Sequence, residues 1–542
     1  MPLMSGGDAV VKSLLAHGVS TVYALPGVQS DHLFNAFFDA GEAIRVVHTR
    51  HEQGAAYMAL GAALATGRPA AYSVVPGPGF LNSSAGLATA YSTGASVLAL
   101  IGQIPGPAIG KGLGFLHEIP DQLGILRTLT KWAERVERPD AAPSLVGQAF
   151  RQLQRGRPRP VALELPPDML REKAEVELAA PLAREPAAML DEDAIAQAAA
   201  VLAEAECPVI FVGGGALDAT REVQALAERL TAPVVGYRRG KGVLDNRHVL
   251  SHSLPGGHAL WAKADVVLAV GTRVFLPLSA WGIDDRLEII KIDVDPAEFA
   301  RMPAPVTGIT GDAAAVLRRL DEHLRHLAPM NPVRVAASRA LKARVAADFE
   351  KLGVILGYLK AIRDVLPDDG VLIDELTQVG YASRTAYEAR GPRTFISSGY
   401  QGTLGWGIAT ALGAKDARGA APVVALSGDG GFMFNVQELA TAVRHRIPIV
   451  VILFNDGAFG NVRNMQRHDH GNRVIGTDLA NPDFMRLADS FAIGGYRATS
   501  PEALRKALEQ ALARNEPAVI EVPCGDLPDP WQFIDMPKVR GA

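Results

Sequence analysis

The chain has 542 residues, of which 48% are hydrophobic, 21% charged and 6% aromatic, a balance that excludes wholesale disorder and collagen-like repeats. At about 150 residues per domain the length predicts three or four domains, each able to bury its own core without disulfide or zinc staples. The net charge of −4, from 54 Lys plus Arg against 58 Asp plus Glu, gives no reason to expect nucleic acid as a partner. The first residues lack a charged head followed by a long apolar run, so no signal peptide is read there. No stretch reaches about 18 uninterrupted apolar residues, so no membrane span is expected. Cys207 and Cys524 lie far apart and outside any CxxC, which predicts a reducing, cytoplasmic setting without disulfides.

Three segments alternate helical and strand patterns, the signature of parallel α/β sheets. The first opens with a helix over Asp8–Ala16 and carries strands at Val22–Leu25, Ala70–Val75, Val97–Gln103 and Val161–Leu165. A Pro/Ala/charge-rich stretch, Ala180 to Ala188, reads as a linker. The second segment carries strands at Val209–Val212, Val234–Gly236, Val266–Val270 and Ile289–Ile292. The third follows a linker at Pro329–Pro332, with strands at Val371–Ile373, Val423–Ser427, Ile449–Asn455 and Ala518–Val522. The first and third close alike, on GRPRPVALELP and NEPAVIEVP, a hint of two related domains flanking a different one.

The most informative stretch is Pro422–Gly460, which reads strand, glycine turn, helix, strand, polar turn. Asp429 lies just past the first strand and Asn455 ends the second. If the strands are parallel neighbours, both side chains meet at the carboxyl edge of the sheet, where α/β proteins bind ligands. Gly428, Gly430 and Gly431 allow close approach of a phosphate, and a helix from about Asn435 is expected to aim its free N–H groups at it. Asp429 and the Asn455 amide oxygen are hard ligands suited to Mg²⁺. A GDG alone is more often an ordinary turn. The second polar turn, 26 residues from Asp429 to Asn455, is what shifts the balance toward a magnesium diphosphate site.

The phrase GDGG…NDG resembles the thiamine diphosphate motif, and the rest of such an enzyme follows in order. Residues 48–58, HTRHEQGAAYM, resemble the HEQGA motif of the superfamily of acetohydroxyacid (acetolactate) synthase, benzaldehyde lyase and pyruvate decarboxylase. The resemblance implies three doubly wound parallel-sheet domains: a pyrimidine-binding domain at 1–175, a middle domain at 190–328 and a diphosphate-binding domain at 355–530. It implies Asp429, Asn455 and the Gly457 carbonyl as metal ligands. Glu52 is implied as the acid that activates the cofactor through its pyrimidine nitrogen, and burial would favour a raised pKa for it. A lone glutamate on an amphipathic helix is otherwise usually a solvated surface residue. The cofactor contacts implied are Gly27, Glu52, Pro76, Asn82, Gln378, Gly402, Gly428, Gly430, Gly431, Asn455, Gly457, Ala458 and Phe459. Leu404, in SGYQGTLG, falls where the family places the apolar wedge between the cofactor rings; the plain alternative is a core leucine.

The implied reaction makes or breaks a C–C bond next to a carbonyl through an enamine, on a 2-oxo acid or a 2-hydroxy ketone. Pro26, Gln29, Phe115 and His117 are the expected substrate pocket. In GFLHEIPDQLGILRTLTK, His117 and Glu118 replace the Phe and Gln of the synthases, and His117 is a candidate proton-transfer group, with a structural histidine as the alternative. A second reading is a 2-oxo acid or oxalyl-CoA-type decarboxylase without carboligation. A third is a silent cofactor-binding subunit, against which an intact Glu52, Asp429 and Asn455 argue. Gly213–Gly215 and Arg273 leave FAD open in the middle segment. The resemblance also implies a homodimer or homotetramer with active sites between subunits. The tail from Cys524, with Trp531 and Phe533 as anchors, is expected to pack on the surface, with closure over the site as the alternative.

Overall fold

The computed structural model describes residues 1–180, 189–302 and 306–541, so the Ala180–Ala188 linker lies, apart from Ala180, outside the described residues. The described chain forms three sheets of six parallel strands. The first runs, from edge to edge, Arg45–His48, Thr21–Ala24, Ala70–Val74, Val97–Gly102, Val161–Leu165 and Trp132–Arg135. The third runs Phe395–Ile396, Val371–Ile373, Val423–Gly428, Val450–Asn455, Ala518–Pro523 and Gly494–Arg497. Numbered in chain order within its own sheet, each reads 2-1-3-4-6-5. The middle sheet runs Ser251–His252, Val234–Gly236, Val209–Val212, Val266–Val270, Glu288–Asp293 and Thr307–Thr310, which is 3-2-1-4-5-6. The two Pro-flanked strands hold the same place in sheets of the same strand order.

The sequence predicts four strands per segment, and the structure adds two to each sheet. The six additions are the edge strands, without exception. Edge strands are short and half-solvated, so RVVH, WAER or GGYR shows no apolar run to betray it. The central strands are buried on both faces and read as continuous apolar stretches.

The two outer sheets share one hydrophobic core although about 200 residues separate them in the chain, while most of the middle sheet's apolar residues pack into a core of their own. The junction is a pair of helices, Glu52–Thr66 and Trp406–Arg418. Their sequences, EQGAAYMALGAALAT and WGIATALGAKDAR, are rich in Ala and Gly, which lets the backbones nearly touch. A β-carbon on Gly61 would overlap the Thr410 carbonyl, and one on Gly413 the Met58 carbonyl. The helix behind Glu52 is buried on every side from Gly54 to Ala65, because a sheet covers one face and a helix the other.

The tail leaves the third sheet and ends on the middle one. Trp531 packs on Tyr381 and donates to Asn461 Oδ1 at 2.8 Å, and Phe533 is buried against Phe349. Arg540 is buried, donating to Trp261 O at 2.5 Å and pairing with Asp284 at 2.6 Å. The tail packs along the body of the chain through Trp531, Phe533 and Arg540.

Candidate active site

The strands Val423–Gly428 and Val450–Asn455 are parallel neighbours, with Gly428 opposite Phe454. Asp429 and Asn455 are therefore the next residues in register at the carboxyl edge. Their oxygens converge: Gly457 N–H donates to Asp429 Oδ2 at 2.9 Å and lies 3.2 Å from Asn455 Oδ1. The Asn481 amide bridges the same two oxygens at 2.6 and 3.1 Å. Two hard oxygens that share two N–H donors are close enough to share one cation. Asn455 is held by Glu521, which accepts from its Nδ2 at 2.9 Å and pairs with Arg497 at 2.8 Å. The surroundings carry excess negative charge. Burial and the Asp429 charge push Asp456 up to about 6, and burial beside Asp456 and Asp429 pushes the Cys524 thiol up to about 12. The donor set and the charge fit a divalent cation held by Asp429, Asn455 and the Gly457 carbonyl. That carbonyl accepts from Leu479 N at 2.9 Å and keeps its second lone pair.

The helix that follows Asp429 corrects the expectation of a start near Asn435. It begins at Asp429 itself and ends after six residues at Phe434, and a second helix spans Glu438–His445. Asn435 is the stop: buried, it donates its side chain to Gly405 O at 2.7 Å instead of continuing the turn. Gly430 and Gly431 owe their identity to crowding. A β-carbon on Gly430 would lie 2.6 Å from the Phe459 ring, and one on Gly431 2.5 Å from Glu375 Oε1. Glu375 is fully buried, accepts from Gly405 N–H and Ser427 Oγ, and is pushed by burial up to about 7. Thr377 touches Gly428, which brings the buried Gln378, its Oε1 without a partner, to the same edge. Leu404 is half-buried in the turn between Gly402 (φ 58°) and Gly405 (φ 78°), so it is not a core leucine. Ala458 and Phe459 are pinned by the strand-like run Thr477–Leu479: Phe459 N–H donates to Thr477 O at 2.8 Å.

The other group lies at the carboxyl edge of the first sheet. Glu52 starts its helix and accepts from Asn82 Nδ2 at 3.1 Å. Just ahead of it, buried Glu438 from the third domain accepts from Arg50 N–H at 3.2 Å and fixes the turn into that helix. Gly79 faces Glu52 Oε1, and Gly27 packs on Val75, which brings the loops Pro26–Ser30 and Val75–Gly79 together. Pro76 is buried against Gly102; Pro26 is exposed. Gly77 (φ 57°) donates its N–H to Gln122 Oε1 at 2.9 Å, and a β-carbon there would overlap the His117 carbonyl. Gln122 in turn donates to Glu164 at 3.0 Å. Gln29 is buried and bonded to His117, whereas Phe115 is 42% exposed at the rim.

No hydrogen bond or ion pair among the described residues joins Glu52, Asn82, Gln29 or His117 to Asp429, Asn455, Gly457 or Leu404. Sequence reasoning missed Asn481, Glu375, Gln122, Glu164 and Glu521. The last two carried a signal, a lone acid inside the apolar strands VALEL and AVIEVP. In the middle domain Gly213 and Gly215 pack against the backbone of Gly271, and Gly214 against the Arg239 guanidinium. Chain crossing accounts for these glycines, and Arg273 stands over the Tyr400 ring beside Glu298, so these residues lend the FAD expectation no support.

This architecture defines a class. Residues 4–125, 195–320 and 377–522 match the N-terminal TPP binding, central and C-terminal TPP binding domains of thiamine pyrophosphate enzymes. The chain belongs to that family. It is 33% identical to a probable 2-ketoarginine decarboxylase of Pseudomonas aeruginosa, over 96% of this chain and 94% of that one. It is 32% identical to a probable acetolactate synthase large subunit of Methanocaldococcus jannaschii (96% and 92% covered) and 30% identical to the acetolactate synthase isozyme 2 large subunit of Escherichia coli (98% and 97%). It is a thiamine diphosphate-dependent enzyme of the acetolactate synthase type. Among the described residues no helix is long and apolar enough to cross a membrane.

Proposed function

We propose that the enzyme uses thiamine diphosphate and Mg²⁺ to make a C–C bond next to a carbonyl, taking a 2-oxo acid or a 2-hydroxy ketone as donor. The observation that carries this is the in-register convergence of Asp429 and Asn455 at the carboxyl edge of the sheet. Bound there, the cofactor supplies a carbon nucleophile for the carbonyl. Asp429, Asn455 and the Gly457 carbonyl would hold the cation, and Gly428 and Gln378 would hold the diphosphate. Glu52, oriented by Asn82, exchanges a proton with the pyrimidine nitrogen. Leu404 would pack against the bound cofactor, and Pro26, Phe115 and His117 would line the substrate pocket.

The two groups of site residues belong to different chains in this reading, so the working unit is at least a homodimer. Exposed apolar side chains rim both groups: Leu113, Phe115 and Leu116 on one side, Phe434, Val462, Met465 and Ile475 on the other. A mixed oligomer of Glu52→Gln and Asp429→Ala chains then regains activity that neither variant has alone. No recovery would place the site within one chain.

A second reading, decarboxylation without carboligation, is favoured by the 33% identity to a probable 2-ketoarginine decarboxylase. Product analysis with pyruvate, benzoylformate and 2-ketoarginine separates the two. A carboligated product supports the first reading, and free aldehyde alone supports the second. Both readings require proton exchange at the cofactor's C2 that depends on Mg²⁺ and Glu52.

A further inference from the structure

His117 is the one non-glycine residue of the site held in left-handed backbone, with φ at 69°. Side chains rarely accept that conformation, so the surrounding contacts must impose it. Two do. The His117 carbonyl presses on Gly77, where no β-carbon fits, and its ring Nδ1 lies 3.1 Å from Gln29 Oε1. Gln29 is buried on the turn Val28–Ser30, and its Nε2 donates to Leu116 O at 2.9 Å.

These contacts decide a proton position. A backbone carbonyl only accepts, so the amide nitrogen of Gln29 must face Leu116 and its oxygen must face His117. That oxygen also only accepts, so Nδ1 of His117 must carry a hydrogen. The neutral ring then has a bare Nε2, which makes no hydrogen bond among the described residues. The opposite tautomer would set two lone pairs against each other.

We propose that Gln29 is a positioning residue that holds His117 as the Nδ1–H tautomer and leaves Nε2 to exchange a proton with a substrate oxygen. The assignment of a substrate rests on the proposed function; the tautomer does not. In the bond-breaking direction neutral Nε2 takes the proton of a substrate hydroxyl. The O–H bond breaks, an N–H bond forms and the electron pair stays on oxygen. In the bond-forming direction the imidazolium returns that proton to an alkoxide. His117 thus acts as a base on a hydroxyl in the bond-breaking direction and as an acid, from the imidazolium, in the bond-forming direction.

Nitrogen NMR of the ¹⁵N-histidine-labelled enzyme tests this, with the His117 pair identified by its loss in His117→Gln. Neutral wild-type enzyme should show a protonated Nδ1 and a bare Nε2. Gln29→Leu should erase that preference and lower kcat about 10-fold with KM within about twofold. A protonated Nε2 in neutral wild type overturns the proposal, and so does a kcat that Gln29→Leu leaves unchanged. Should the tautomer hold while exchange at C2 proves independent of Glu52, the proposed function falls and the tautomer assignment stands.

Discussion

In both outer sheets the final two strands in spatial order carry an arginine–glutamate pair whose carboxylate orients an amide at the end of the fourth strand. In the third domain Arg497 and Glu521 hold Asn455. In the first, Arg135 and Glu164 hold Gln103 and Gln122. The frame is the same, and the use differs with what stands opposite. Asn455 faces Asp429, and the two oxygens make a cation pocket. Gln103 turns its oxygen back onto Ile104 N–H, and Gln122 spends its own on Gly77, so the first domain's brace supports a loop. One short acid-and-amide device can thus present a ligand or stiffen a turn, and the residue one strand away decides which.

The comparison can be broken most sharply at the cation pocket. Asp429→Ala removes a ligand and should weaken Mg²⁺-dependent cofactor binding by more than about 100-fold in calorimetry. Unchanged affinity would mean the third-domain edge is no ligand site. Glu521→Gln attacks the brace: Asn455 loses its anchor, and cation affinity should fall about 10-fold. Glu164→Gln makes the matched change in the first domain. It should leave cation affinity alone, and equal losses in both variants would dissolve the distinction between ligand and platform.

The smallest effect concerns Glu375, a buried acid that accepts from Gly405 N–H and Ser427 Oγ. Its folded carboxyl sits at about 7, above its unfolded value near 4.5, so the native state holds the proton more tightly. Stability should therefore fall as pH rises from about 4.5 to about 7 and stay at the lower level above. Glu375→Gln should flatten the melting temperature across that window. A wild type and variant with parallel profiles would contradict the buried, protonated acid.

The pattern of success in the sequence reading follows the physics of burial. Doubly buried strands announce themselves as apolar runs, so each sheet's interior was legible and its edges were not. Asp429 and Asn455 were legible because they follow two such strands directly. Asn481 was not, since it reaches the pocket from an irregular run pinned by backbone bonds, which leaves no periodic trace. Glu375 hides likewise in DELTQV, where only the fold shows that Gly405, Ser427 and Gly431 surround it. The start of the Asp429 helix was misplaced because two adjacent glycines argue for a turn, while their real constraint is the Phe459 ring and the Glu375 carboxylate.

Exchange of the C2 proton of thiamine diphosphate for deuterium, followed by quenched-flow NMR, shows whether Glu52 activates the cofactor. Wild-type enzyme with Mg²⁺ should accelerate exchange far beyond that of the free cofactor, and Glu52→Gln should slow it by at least about 100-fold while still binding the cofactor. Exchange no faster than in free solution, or a rate that Glu52→Gln leaves unchanged, would contradict the account.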